Sequence, residues 1–187
     1  MIEIRPAKLS DARSIAEIQV AGWKAAYRGI VPDEYLDGLN AASRTPLWER
    51  FSADAKGKLY VADSGVGVAG FCHLIPSRDP GAEGAAEIAA IYVSPAAWRK
   101  GIGRNLCAAA VQSATERGYE RVTLWVLSGN LSGRRFYEAI GFKHDGALKH
   151  EVMNGTRLEE VRYQIALPKP SGRDSESDGG PSFAQRN

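Results

Sequence analysis

The sequence has few cysteines, little net charge and no long apolar run. Its two cysteines, Cys72 and Cys107, supply neither a disulfide framework nor the spacing of a metal site, and they favour a reducing cytoplasm. The net charge of +2 is too small to indicate a nucleic-acid or membrane surface. No apolar segment approaches the length of a membrane-spanning helix, and residues 1–6 resemble a strand rather than a signal peptide. We therefore expect no metal, no nucleic-acid partner and no membrane.

The chain does contain enough apolar residues, 44% of the total, to build one globular domain. Strand-like and helical patterns alternate from Ile2 to Leu167. The last 19 residues, 169–187, are mostly polar, charged or glycine, and Phe183 is their only large apolar side chain. Such a segment buries too little apolar surface to offset the cost of ordering it. The sequence predicts one domain over residues 1–168 and a disordered tail over residues 169–187.

The most informative segment is residues 86–104. An apolar strand over Ile88–Val93 ends at Ser94-Pro95, a basic turn with two glycines follows, and a helical pattern runs from about Asn105 to Arg117. Glycines let the backbone approach a ligand closely, and the free N–H groups of a helix N-terminus favour negative charge. The turn adds three cations, which are Arg99, Lys100 and Arg104. The segment is therefore typical of a site for a phosphorylated cofactor.

The spacing of the glycines excludes two common phosphate loops. No Walker sequence occurs, and Leu106 stands where a dinucleotide-binding fingerprint needs its third glycine. A second pattern lies downstream: the strand Val122–Leu127 is followed by Asn130, and a short helix then carries Tyr137 and ends at Gly141-Phe142.

These two elements, 27 residues apart from Gly103 to Asn130, resemble the GNAT superfamily of N-acetyltransferases. The resemblance covers Ile2 to about Leu167 and implies an α/β (α+β) fold. Its central sheet is mixed and mostly antiparallel, contains a splayed pair of parallel strands and is flanked by helices. The resemblance implies acetyl-CoA as the cofactor. The chain departs from the family at Trp98, where Gln or Arg is usual.

The resemblance also assigns cofactor contacts. The strand backbone at Ile91, Tyr92 and Val93 matches the one that pairs with the pantetheine amides. Asn130 matches a residue that hydrogen-bonds the pantetheine or a nearby water, although Asn is equally suited to be a helix N-cap. The pyrophosphate loop comprises Trp98, Arg99, Lys100, Gly101, Ile102, Gly103 and Arg104.

Acyl transfer to an amine needs an acid for the leaving thiolate and a route for the amine proton. Tyr137 matches the family's general acid, and the alternative is an aromatic packed in the core. Trp125 stands where some members carry a Glu that acts as the general base. Glu87 is therefore the candidate base in this sequence. The alternative is that Glu87 is a solvated glutamate at a strand end. His73 is a second candidate for the general base, ranked below Glu87. In the preceding loop, Asp79 and Glu83 are expected to be solvated.

The acceptor is expected to contact Trp23, Tyr27 and Arg28, since the matching helix-loop-helix borders the acceptor pocket in the family. Trp23 and Tyr27 are four residues apart, hence on one helix face, and could equally close the core. The sequence predicts direct transfer of an acetyl group from acetyl-CoA to the primary amine of a small molecule. Two alternatives are acetylation of a protein N-terminus or lysine, and a non-catalytic acyl-CoA-binding module. A homodimer is suggested by analogy alone.

Overall fold

Strands and helices alternate along the computed structural model, which describes residues 1–168. The disordered tail predicted over residues 169–187 lies outside the described residues. The strands are Glu3–Pro6 (β1), Lys58–Asp63 (β2), Val68–Pro76 (β3), Ala85–Val93 (β4), Arg121–Leu127 (β5), Lys143–Met153 (β6) and Thr156–Ala166 (β7). The helices are Ala12–Ala26 (α1), Asp33–Asp37 (α2), Ala41–Ala53 (α3), Ile102–Glu116 (α4) and Leu131–Ala139 (α5), with 3₁₀ turns at Leu9–Asp11 and Pro95–Ala97.

The strands form one sheet in the order β1-β2-β3-β4-β5-β7-β6. Within residues 1–168, each neighbouring pair is antiparallel except β4 and β5, which are parallel. The predicted mixed, mostly antiparallel sheet with one parallel pair and flanking helices is confirmed.

Local contacts set the ends of two elements. Helix α3 begins at Ala41, because the Asn40 side chain accepts the Ala42 N–H at 2.8 Å, and it includes Pro46. Strand β6 extends to Met153 because Asn154 and Gly155, with φ of 48° and 75°, form the tight turn that starts β7.

The core lies on both faces of the sheet. Helix α4 covers one face, where Leu106 and Cys107 pack with Cys72 of β3. Helices α1 and α3 cover the other face, where Ile15 and Trp48 form a second cluster with residues of β2 and β3. Strand β4 lies between these layers, so any opening in the sheet beside it is held by rigid, packed elements.

Candidate active site

The two parallel strands separate a short way along their length. Only Ala85–Glu87 of β4 pair with Arg121–Thr123 of β5. β4 then continues six residues to Val93, and its side chains change from buried up to Ile88 to half-buried beyond it. A cleft of about 650 Å³ opens at this splay, between the second half of β4, the start of α4 and α5. The backbone groups of β4 that face the cleft are therefore left without a strand partner on that side.

The glycine turn shapes one end of the cleft. Gly101 has φ of +78° and precedes α4, whose first backbone hydrogen bond runs from the Asn105 N–H to the Gly101 oxygen at 3.1 Å. The N–H groups of the three residues between them therefore have no partner inside the helix. A Cβ on Gly103 would lie 3.1 Å from a ring carbon of Phe136. This concave, N–H-rich turn is suited to a phosphate group.

Most of the residues predicted to bind the cofactor line this cleft. Lys100 is not among them: its Nζ lies 3.4 Å from the Ala96 oxygen, within the turn itself. Trp98 is 43% exposed and donates its indole N–H to the Val93 oxygen at 2.8 Å, so it braces the turn as well as lining the cleft. The predicted residues that line the cleft are Ile91, Tyr92, Val93, Trp98, Arg99, Gly101, Ile102, Gly103, Arg104, Asn130 and Tyr137.

Helix α5 forms the opposite wall. Asn130 caps this helix, because its Oδ1 accepts the Gly133 N–H at 2.9 Å, and it lines the cleft at the same time. Tyr137, two turns further on, packs its ring against Phe136 at a centroid distance of 5.2 Å. Burial raises the pKa of Tyr137 above its ordinary value, so its hydroxyl is a proton donor at neutral pH.

A second cavity, of about 480 Å³, adjoins the cleft. Trp23 and Tyr27 form one wall, with their rings edge to face at 5.0 Å. Arg28 lies elsewhere: its guanidinium is paired with Asp33 at 3.1 Å and with Asp37, so it holds the loop between α1 and α2. The prediction that Arg28 contacts the acceptor therefore has no support in the geometry. The residues that line both cavities are Tyr27, Ile88, Ala89, Tyr92, Trp125 and Val126.

Glu87 lies in the wall of this second cavity and is 1% exposed. Its Oε2 accepts the backbone N–H of Arg78 at 3.1 Å and the Arg78 Nε–H at 3.2 Å, while its Oε1 accepts another guanidinium N–H of the same residue. The alternative of a solvated glutamate at a strand end is wrong, because the loop before β4 folds back and supplies the charge that allows burial.

His73 occupies a different part of the molecule. It packs against the rings of Phe51 and Trp48, at centroid distances of 4.6 Å and 5.9 Å, and it is not among the residues that line either cavity. Burial lowers the pKa of His73 to about 4. The imidazole is therefore neutral at physiological pH and lies outside the candidate site.

The sequence does not predict the polar network that surrounds Trp125. Asp79 accepts the Trp125 indole N–H at 3.1 Å and pairs with Arg162 at 2.9 Å, and Arg162 also binds Asp145 at 2.8 Å. The Lys149 ammonium lies 4.4 Å from the centre of the Trp125 ring. The expectation that Asp79 is solvated is wrong, since its partners are 46 and 83 residues away and leave no local signal.

Neither a metal site nor a membrane-spanning helix is found in residues 1–168. No cluster of three or more His, Cys, Asp or Glu side chains there could hold a metal ion. None of the helices described above is long and apolar enough to cross a membrane.

The fold and the splayed strand pair define the class, an α/β protein with the GNAT fold. The model of the acetyltransferase (GNAT) family matches residues 23–142. The chain is 32% identical over 161 residues to the uncharacterized N-acetyltransferase YuaI of Bacillus subtilis (strain 168), covering 86% of this chain and 91% of that one. The protein therefore belongs to the GNAT acetyltransferase family.

Solved structures agree on the fold. PaiA N-acetyltransferase of Thermoplasma acidophilum, in complex with coenzyme A, superposes with a TM-score of 0.69 at 23% identity, covering 89% of this chain and 99% of that one. YncA of Salmonella typhimurium, with its cofactor acetyl-CoA, gives a TM-score of 0.70 at 22% identity, covering 94% and 99%.

Proposed function

We propose that the protein is an acetyl-CoA-dependent N-acetyltransferase that acts on the primary amine of a small molecule. The observation that carries the proposal is the junction of the two cavities, which share the walls formed by Tyr27, Tyr92 and Trp125 beside the splayed strands. A donor in the cleft and an acceptor in the second cavity would meet there. Family membership and the CoA-bound structural relatives support the choice of donor.

The cleft fits the chemistry of acetyl-CoA at two points. The N–H groups of Ile102, Gly103 and Arg104 and the side chain of Arg99 suit its pyrophosphate, and a Cβ at Gly103 would disturb the wall there. The unpartnered edge of β4, over Ile91–Val93, offers backbone groups to the pantetheine amides.

The chain's own groups would then handle the protons. Bound acetyl-CoA supplies a thioester whose carbonyl carbon takes the amine nitrogen as the C–S bond breaks. Tyr137 donates its hydroxyl proton to the departing sulfur. Burial raises the pKa of this hydroxyl, so it stays protonated until the thiolate forms. Glu87 is the candidate acceptor of the amine proton, directly or through one water. Arg78 leaves room for this, since three hydrogen bonds use only part of the carboxylate's four lone-pair positions.

A small acceptor suits the volume of the second cavity. About 480 Å³ lies within the range of small-molecule sites. The cavity is narrowed by Trp23 and Tyr35 on one side and by Trp125 on the other. Aromatic walls of this kind pack against the apolar part of a compact ligand.

The decisive experiment measures acetyl-CoA-dependent thiol release with a panel of small amines and short peptides, for the wild-type protein and for Tyr137→Phe. We expect turnover of small amines that falls about 10²- to 10⁴-fold in kcat in the variant, the usual size of general acid catalysis, with acetyl-CoA affinity unchanged. Tyr119→Phe, which removes a hydroxyl beyond the far end of α4, should behave as wild type. Turnover of peptides alone would refute the small-molecule acceptor, and acetyl-CoA binding without any turnover would indicate a regulatory module.

A further inference from the structure

Arg44 is the unusual charge in the wall of the second cavity. The other cations of the cavity wall are neutralised in place: Arg78 by Glu87, and Lys149 by Glu160 at 3.2 Å. Arg44 of α3 forms no ion pair within residues 1–168. Its guanidinium makes a long contact of 3.5 Å with the Gln19 Oε1, and its central carbon lies 5.9 Å from the centre of the Trp23 ring. A cation left uncompensated in a cavity wall favours an anionic ligand group.

We infer that the amine acceptor carries a carboxylate, held by Arg44 in the wall of the second cavity. The inference rests on the proposed acetyltransferase function and narrows its substrate class to amino acids and their derivatives. A carboxylate offers two oxygens in one plane, which a guanidinium can bind through paired N–H groups.

The remaining charges fit the same class. Glu151 of β6 lines the cavity and forms no ion pair within the described chain, so the cavity presents one free cation and one free anion. A zwitterion with an ammonium and a carboxylate complements both charges. A polyamine, by contrast, would have to place a second positive charge in a cavity that already contains the free Arg44.

The test compares acceptors that differ only in the carboxylate. For several amino acids we would measure kcat/KM with the free acid, its primary amide and the decarboxylated amine, at saturating acetyl-CoA. The acid should exceed both analogues by roughly 10- to 100-fold, the range expected for a hydrogen-bonded charge. Arg44→Gln should remove this advantage mainly by raising KM. Arg50→Gln, which deletes the same charge from an exposed position of the same helix, should leave the advantage intact.

The other outcomes separate the two proposals. Equal kcat/KM for acids, amides and amines, or an equal loss for all three in Arg44→Gln, would overturn the carboxylate inference and leave the acetyltransferase intact. Turnover of peptides or carboxylate-free amines alone would do the same. Failure to consume acetyl-CoA with any acceptor would overturn both.

Discussion

Arg78 holds the Glu87 carboxylate from the loop that precedes β4, with Glu87 buried and the Arg78 side chain largely in solvent. Glu87 is also the last residue of β4 that pairs with β5, opposite Thr123. The ion pair therefore places a carboxylate at the point where the two parallel strands separate. A charged group can remain at such a buried position only because its partner is fixed beside it.

Glu87→Gln tests whether this carboxylate accepts the amine proton. If it does, we expect kcat/KM to fall about 10²- to 10⁴-fold. Thermal unfolding of Glu87→Gln and Arg78→Gln measures the structural part separately. An unchanged kcat/KM combined with a lower Tm in both variants would make the pair a structural clamp.

Gly101→Val should weaken acetyl-CoA binding. Both Gly101 and Gly118 have left-handed φ, 78° and 79°, and no atom lies within 4 Å of a Cβ built on either. Placing valine there strains each backbone by about 1–2 kcal/mol, so both variants should lose similar stability. Gly101 begins α4 at the cleft, whereas Gly118 follows its far end. Calorimetry should show lost affinity in Gly101→Val alone, and equal affinities would disprove the phosphate turn.

Asp79→Ala should destabilise the protein, and Glu83→Ala should not. Asp79 accepts the Trp125 N–H and pairs with Arg162, so its removal leaves the Trp125 N–H without its partner and takes away one of the two carboxylates that hold Arg162. We expect a loss of about 1–3 kcal/mol in the free energy of unfolding. Glu83, in the same loop, is exposed, and its variant should stay within about 0.5 kcal/mol of wild type. Urea titrations of both variants decide the point; equal stabilities would show that the network contributes nothing.

His73 should make the protein sensitive to mild acid. Its pKa falls from an ordinary 6.5 to about 4 in the fold, because burial disfavours the charged imidazole. Below pH 6.5 the unfolded chain binds this proton before the folded one does, so the stability contributed by neutral His73 is lost as the pH drops towards 4. The shift corresponds to about 3 kcal/mol.

Unfolding free energies at several pH values check this. His73→Leu should flatten the dependence between pH 6.5 and 4, whereas His150→Gln, on the exposed strand β6, should retain it. A slope that persists in His73→Leu would assign the acid sensitivity to another group.

The parts of the site that the sequence predicts are local in the chain. The glycine turn, Asn130 and Tyr137 are recognisable because strand, turn and helix follow one another within a few residues. Arg28 and Lys100 were assigned to ligands from the same local patterns, but nearby partners engage both side chains: Asp33 and Asp37 for Arg28, and the Ala96 oxygen for Lys100.

Other features depend on distant residues. Asp79 and Trp125 are separated by 46 positions, and Arg44 reaches the second cavity only because α3 packs on α1. Hydrophobic periodicity and secondary-structure propensity carry no information about which distant side chains meet. The sequence therefore indicates the second cavity, built from α1–α3 and the strands β4–β7, only through Trp23, Tyr27 and the candidate base Glu87.

The short parallel pairing has a mechanical consequence. The sheet consists of a four-stranded half, β1–β4, and a three-stranded half, β5–β7, each held by its own antiparallel hydrogen bonds. The seam between the halves is three residue pairs long and is reinforced by the Thr123 hydroxyl, which donates to the Ala86 oxygen at 3.2 Å. Beyond the seam, no strand pairing joins the two halves within residues 1–168. A ligand that lies between β4 and β5 would therefore connect the halves where the sheet itself does not.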